Sequence, residues 1–231
     1  MNTSRASFFS KLLNATLALC ALVTTGLLVH RELGGPTTPP LNVPSLERFP
    51  EAERYLSGGR RVGPPEAPVK MVVFSDYQCP ACRILNEELE VRRRDGSLNF
   101  AVAFRHWPLS MHKFAEQAAV ASECAGAQGR FPQMHDTLFS NQRDLGRVSW
   151  QQFAQMAGVP DSMSFVACLA NDSVLTAVRD DARIAQTLRS RGTPTVVVQG
   201  GVRFVGVPAK GVLDSLVATL SEQNPPIQPR R

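Results

Sequence analysis

Apolar and polar positions divide the 231-residue chain into stretches of different period. Pro-Val-Lys-Met-Val-Val-Phe, from Pro68 to Phe74, is rich in β-branched and apolar residues and predicts a buried strand over about Val69–Ser75. After Cys79-Pro80-Ala81-Cys82, apolar residues recur at helical spacing among charged ones from Arg83 to Glu90, which predicts a helix. Asp95-Gly96 marks a turn, and residues 98–105 alternate enough for a second strand. Strand–helix–strand order implies a parallel pair with a right-handed crossover, if the two strands are neighbours. Between about Ser110 and Arg189 the pattern turns helical, over Met111–Cys124, Phe131–Phe139, Trp150–Met156 and Asp172–Leu188. Gly129, Gly146 and Gly158-Val159-Pro160-Asp161 separate these segments, and Asp172 or Ser173 would cap the last. Strand character returns at Thr195–Gln199, Gly200-Gly201 makes a hairpin turn, and Val202–Val205 follows. Lys210–Leu220 closes the pattern as a helix. The order is βαβ, a helical block, then ββα, an α/β class.

The first 31 residues read differently. Arg5 and Lys11 precede an apolar run of roughly 18 residues from Leu12 to Val29, at the short end of what spans a bilayer. We read residues 1–31 as a membrane anchor, with a cleaved signal peptide as the alternative. The N-terminal positive charge keeps that end in the cytoplasm and sends the remainder outside. Residues 32–61 form a linker. Gly34 to Pro44 is an extended Pro-rich tether, and Leu46–Leu56 could form a short amphipathic helix ended by Gly58-Gly59. The folded domain then runs over 62–222, its helical insertion over about 110–189, and residues 223–231, rich in proline, form a disordered tail.

The formal charge of +5 falls to +3 without residues 1–40, where Arg5, Lys11 and Arg31 stand against Glu32. An excess this small does not imply nucleic-acid binding. The densest basic cluster, Arg92-Arg93-Arg94, ends a predicted helix, where cations complement the dipole.

Cys79-Pro80-Ala81-Cys82 is the candidate chemistry. Strand before and helix after place Cys79 at a helix N-terminus, where unpaired N–H groups and the dipole favour a thiolate. Pro80 suits a first helical turn because its missing N–H has no partner to lose there. A two-residue spacer lets the sulfurs reach disulfide distance, so Cys79 would exchange with a client and Cys82 would resolve the mixed disulfide. Zinc is a competing reading, but it needs about four ligands in paired clusters, and no second Cys-x-x-Cys or His-x-His is present. Covalent haem attachment fails at Arg83, where Cys-x-x-Cys-His needs histidine. Gly192-Thr193-Pro194-Thr195, just before a strand, is the second candidate: either an ordinary loop proline or a cis peptide bond. His106, His112 and His135 invite a catalytic role, but none adjoins Cys79 in sequence.

Phe74-Ser75-Asp76-Tyr77-Gln78-Cys79-Pro80-Ala81-Cys82, Phe104 to Leu109, Glu123-Cys124-Ala125-Gly126 with Gly129-Arg130-Phe131, and Gly192-Thr193-Pro194-Thr195 occur in this order between about Val62 and Ala218. Together they resemble the DsbA-like branch of the thioredoxin superfamily. The resemblance implies a thioredoxin fold with a helical insertion between its βαβ and ββα halves, acting on extracytoplasmic thiols and needing no cofactor. It implies Cys79 and Cys82 as the catalytic pair, with Pro194 a cis-proline facing them. Thr193 would then offer backbone groups to an extended client. It also implies a structural disulfide between Cys124 and Cys168, against the alternative of two buried free thiols. A staple with this loop length is worth roughly 4 kcal/mol in the entropic model. Cys20 lies in the anchor.

Two positions depart from the pattern. Val73 stands six residues before Cys79, where many thioredoxin-fold enzymes carry a buried acid, and Asp76 is not assigned that role. Ala81 replaces the spacer histidine of strongly oxidising DsbA proteins, so a less oxidising couple is expected. The expected function is a membrane-anchored thiol–disulfide oxidoreductase facing the periplasm or cell exterior, first as an oxidase and alternatively as a reductase or isomerase. A non-catalytic thioredoxin-like binding module is the rival from another class. Partners would be protein clients with thiols or disulfides, and a membrane or soluble redox protein that resets the pair.

Overall fold

The computed structural model describes residues 23–25, 46–62, 67, 69–95, 100–209 and 211–223. The expected anchor (apart from 23–25), the Pro-rich tether and the tail after Gln223 lie outside the described residues. Among the described residues, no helix is long and apolar enough to cross a membrane.

Among the described residues, six strands, β1 (Glu47–Arg48), β2 (Arg60–Arg61), β3 (Val69–Ser75), β4 (Phe100–His106), β5 (Thr195–Val198) and β6 (Val202–Val205), form one mixed sheet in the order β1-β6-β5-β3-β4-β2. β3 (Val69–Ser75) is central and buried at six of its seven positions, which explains a nearly continuous apolar run rather than an alternating one. Its side chains still alternate between faces. Met71 and Val73 pack with Leu85 and Leu89 of α1 (Pro80–Asp95) and with Leu213, Val217 and Leu220 of α7 (Val212–Gln223). Val72 and Phe74 face the other way, onto Tyr55, Ala185 and Leu188. Each fully buried side chain of this size contributes about 1.5–3 kcal/mol, so both faces hold the strand in register.

β4 (Phe100–His106) pairs parallel to β3 from Val69↔Phe100 to Ser75↔His106, with α1 as the crossover. β5 (Thr195–Val198) runs antiparallel on the other side of β3, from Met71↔Val198 to Phe74↔Thr195, and β6 (Val202–Val205) completes the hairpin. This register has a direct consequence for chemistry. The segment entering β5, Thr193-Pro194, is set beside the end of β3 from which the Cys79 loop departs.

The N-terminal segment departs from expectation. Glu47–Arg48 (β1) pairs with β6 at one edge, and Arg60–Arg61 (β2) pairs with β4 at the other. Between them only Ala52–Tyr55 is helical, as a single 3-10 turn. An isolated helix over Leu46–Leu56 is too short to be stable alone. Burial of Ala52 and Tyr55 against the Phe74 face, with Tyr55 and Phe74 rings 6.3 Å apart, fixes the chain in a different shape. The stretch read as linker thus contributes both sheet edges.

The insertion comprises α2 (Ala115–Gly126), α3 (Phe131–Ser140), α4 (Trp150–Met156), α5 (Ser162–Leu169) and α6 (Asp172–Thr187). The helix α5 was not expected; the Asp161 carboxylate caps it by accepting from Ser164 N–H at 2.9 Å. Asn171, rather than Asp172 or Ser173, caps α6, accepting from Ser173 N–H.

Candidate active site

Cys79 precedes the first residue of α1 and is 8% exposed, whereas Cys82 inside the first turn is 1% exposed. Both are free thiols. When protonated, Cys79 Sγ donates to the Thr193 carbonyl at 3.4 Å, and the Asp76 N–H points at Cys82 Sγ at 3.5 Å. The Cys79 thiol is lowered to about 5, first by a hydrogen bond from the Cys82 thiol. Burial opposes this, but Thr193 and the Cys82 and Ala81 N–H groups outweigh it. Those two amides are orphan donors of the helix start. Burial pushes the Cys82 thiol well above its ordinary value, and the neighbouring Cys79 adds to that. One cysteine is therefore a thiolate at neutral pH and its partner a protonated thiol.

The Thr193–Pro194 bond is cis, and Pro194 is buried at the start of β5. Thr193 contributes its carbonyl to Cys79, while its own hydroxyl is buried without a conventional hydrogen-bond partner. Cys124 in α2 and Cys168 in α5 are bonded at 1.98 Å, Cα–Cα 5.7 Å, within the insertion core. Val73 lines a small cavity behind Cys82 with Ser75, Asn86 and His135. No carboxylate lies among these residues.

Asp76 serves the loop instead. One carboxylate oxygen accepts from Gln78 N–H at 2.7 Å, and the other from Leu109 N–H at 2.7 Å, with His112 Nδ1 at 2.8 Å. His112 thus anchors the loop after β4. His135 is held by burial at about 3 and stays neutral. With its Nε2–H on Asn86 Oδ1 at 2.8 Å, Nδ1 accepts from the Tyr77 hydroxyl at 3.1 Å. His106 Nε2 meets Glu123 at 3.0 Å, and Arg60 Nε donates to the same carboxylate at 2.8 and 3.0 Å. Burial pushes Glu123 up, but these partners outweigh it and hold it at about 2. None of the three histidines hydrogen-bonds to either sulfur among the described residues. No group of three or more His, Cys, Asp or Glu among those residues is arranged to hold a metal.

Two glutamines at this site were not anticipated. Gln78 accepts from the Phe114 N–H, and Gln142, in a 3-10 turn over Gln142–Asp144, donates to Tyr77 O at 2.7 Å and Cys79 O at 3.0 Å. Gln142 lies 63 residues from Cys79, so no local periodicity signals it.

The Thioredoxin_4 family model, described as thioredoxin, matches residues 56–206. A Na(+)/H(+) antiporter NhaA 1 from Mycolicibacterium gilvum is 36% identical over 141 residues, 60% of this chain but 23% of that protein. The chain thus spans under a quarter of the length of the curated relatives it matches first. A thioredoxin-like oxidoreductase from Silicibacter pomeroyi superposes with a TM-score of 0.61 at 24% identity, covering 75% of this chain and 98% of that one. The thiol-disulfide exchange protein alpha-DsbA2 from Wolbachia pipientis gives 0.61 at 21% identity, covering 71% and 87%. With the family model over residues 56–206 and a Cys-x-x-Cys pair at the start of α1, the chain belongs to the Thioredoxin_4 family, described as thioredoxin, in the DsbA-like arrangement of the fold.

Proposed function

We propose that the protein oxidises thiols of extracytoplasmic protein clients, with Cys79 as the exchanging residue and Cys82 as its resolving partner. The observation that carries this reading is the set of donors converging on Cys79 Sγ. They stabilise the thiolate, hence the reduced pair, and a couple whose reduced form is stabilised is an oxidant.

The reaction starts from the disulfide form. A client thiolate attacks Cys79 Sγ, the Cys79–Cys82 bond breaks, and Cys82 leaves as a thiolate that takes up a proton. A second client thiolate then attacks the client sulfur of the mixed disulfide. It forms the client disulfide and expels Cys79 as the thiolate that the helix start stabilises. Two electrons pass from client to enzyme, and a disulfide-bearing redox partner must take them back. Thr193, at the mouth beside Cys79, supports an extended client segment pairing in strand fashion.

The apolar run at residues 12–29, together with a disulfide in the insertion, favours an oxidising compartment, with the N-terminal segment as the membrane tether. The oxidised protein, mixed stoichiometrically with a reduced, unfolded disulfide protein, should form client disulfides as its own pair becomes reduced. In cells the pair should be isolated mainly oxidised. A pair found reduced in cells would turn the reading to a reductase or isomerase.

A further inference from the structure

Gln142 occupies a place that the exchange chemistry alone does not explain. Its amide nitrogen spends both hydrogens on two backbone carbonyls of the active-site loop, Tyr77 O at 2.7 Å and Cys79 O at 3.0 Å. Cys79 O also accepts the first helical bond of α1, from Arg83 N–H at 3.2 Å, so Gln142 fills its second lone pair. Cys79 holds the capping position of that helix. The rotation of its peptide plane decides whether Sγ lies over the Ala81 and Cys82 N–H groups.

The turn that carries Gln142 is itself fixed. Asn141 N–H and Asn141 Nδ2 both reach Thr137 O, at 3.1 and 2.8 Å, and Leu145 is buried in the insertion core. Gly146, at φ +84°, lies so close to Phe114 that an added Cβ would sit 2.2 Å from the ring. Phe114 N–H in turn donates to the Gln78 side chain. The contacts interlock: loop 77–79, the start of α2, and the turn after α3 each hold the next.

We propose that Gln142 is a positioning residue for disulfide exchange, through which the helical insertion, and not only the strand–helix unit carrying the cysteines, sets the geometry of the nucleophile. This rests on Cys79 being the exchanging thiol. The insertion then acts on the chemistry as well as flanking it, and a shift of the 141–146 turn would change the reactivity of Cys79 without touching a sulfur.

The test is the pH dependence of iodoacetamide alkylation of Cys79 in the reduced full chain, with thermal unfolding recorded alongside. Gln142→Leu should move the alkylation midpoint up by about one pH unit, roughly tenfold less thiolate below the midpoint. Gln142→Glu, of the same size, should move it further, because it withdraws both donors and adds a negative charge beside the thiolate. Leu213→Ala, in α7 and in a separate core cluster from the clamp, should lower the melting temperature and leave the midpoint in place. If both Gln142 variants lower the melting temperature but keep the native midpoint, Gln142 is merely structural and the proposal is wrong. A native midpoint near the ordinary thiol value of about 8.5 would instead remove the reading of Cys79 on which it rests.

Discussion

Cys79 and Cys82 stand as free thiols at the start of α1, while Cys124 and Cys168, 44 residues apart, are bonded in the core of the insertion. The element is the same and the surroundings are not. Cys79 gathers the Ala81 and Cys82 N–H donors and the Cys82 thiol, which make its thiolate stable and its disulfide easy to open. Cys124 sits in the last turn of α2, 0% exposed, among Phe131, Met134 and Phe165, where nothing favours a thiolate and no client can reach. On the proposed function, one region uses sulfur for exchange and the other for bracing. Gln142 joins them, since the braced block reaches back to the exchanging loop.

The sharpest way to break this comparison is to delete each pair. Cys79→Ala should abolish exchange, and Cys82→Ser should accumulate mixed disulfides with clients; absence of both effects would favour a non-catalytic binding module. The double variant Cys124→Ala with Cys168→Ala should keep exchange and lose about 4 kcal/mol in urea unfolding, as the entropic model gives for this loop. Loss of exchange from the second pair, with stability intact, would reverse the assignment.

A gentler contrast lies in pH. Because Cys79 is lowered from its ordinary value to about 5, its ionisation stabilises the reduced fold. That contribution is present above the unfolded thiol range, declines between there and 5, and is lost as pH falls through 5. The oxidised fold has no such contribution. The melting temperature of the reduced form should therefore gain on that of the oxidised form by several degrees between pH 5 and 8, and a constant difference would contradict the assignment.

The smallest effect concerns His135, held neutral at about 3 by burial between Tyr77 and Asn86. Its folded value lies below its unfolded one, so the fold weakens as pH drops from about 6.5 toward 3. His135→Gln should flatten part of that acid limb, visible as a shallower fall of melting temperature with pH.

The central strand, the Cys-x-x-Cys helix start and the β5–β6 hairpin were legible because their signals are local: a β-branched run, a proline at N1, paired glycines. The Cys-x-x-Cys reading stood on two neighbouring elements, and the structure sets Thr193 beside it through the register of β5 on β3. What escaped was non-local. β1 and β2 are two-residue strands that exist only because β6 and β4 offer them unpaired edges. The helix α5 hid behind Val159-Pro160-Asp161, read as a separator although Asp161 is a cap. Asp76, beside the cysteines in sequence, turned out to serve the Leu109–His112 loop. Gln142 left no trace in the pattern, because a side chain reaching backbone 63 residues away has no period.

The reduction potential of the Cys79–Cys82 couple at pH 7 weighs the central claim most directly. A thiolate at about 5, against about 7 in thioredoxin, stabilises the reduced pair enough to raise the potential by about 50 mV from thioredoxin's −270 mV. The expected value is near −220 mV, short of the roughly −120 mV of DsbA, whose nucleophile is more acidic. A value at or below about −270 mV would show that the helix start does not favour the thiolate and would contradict the oxidase. A value close to −120 mV would contradict the weaker couple expected with Ala81 in the spacer.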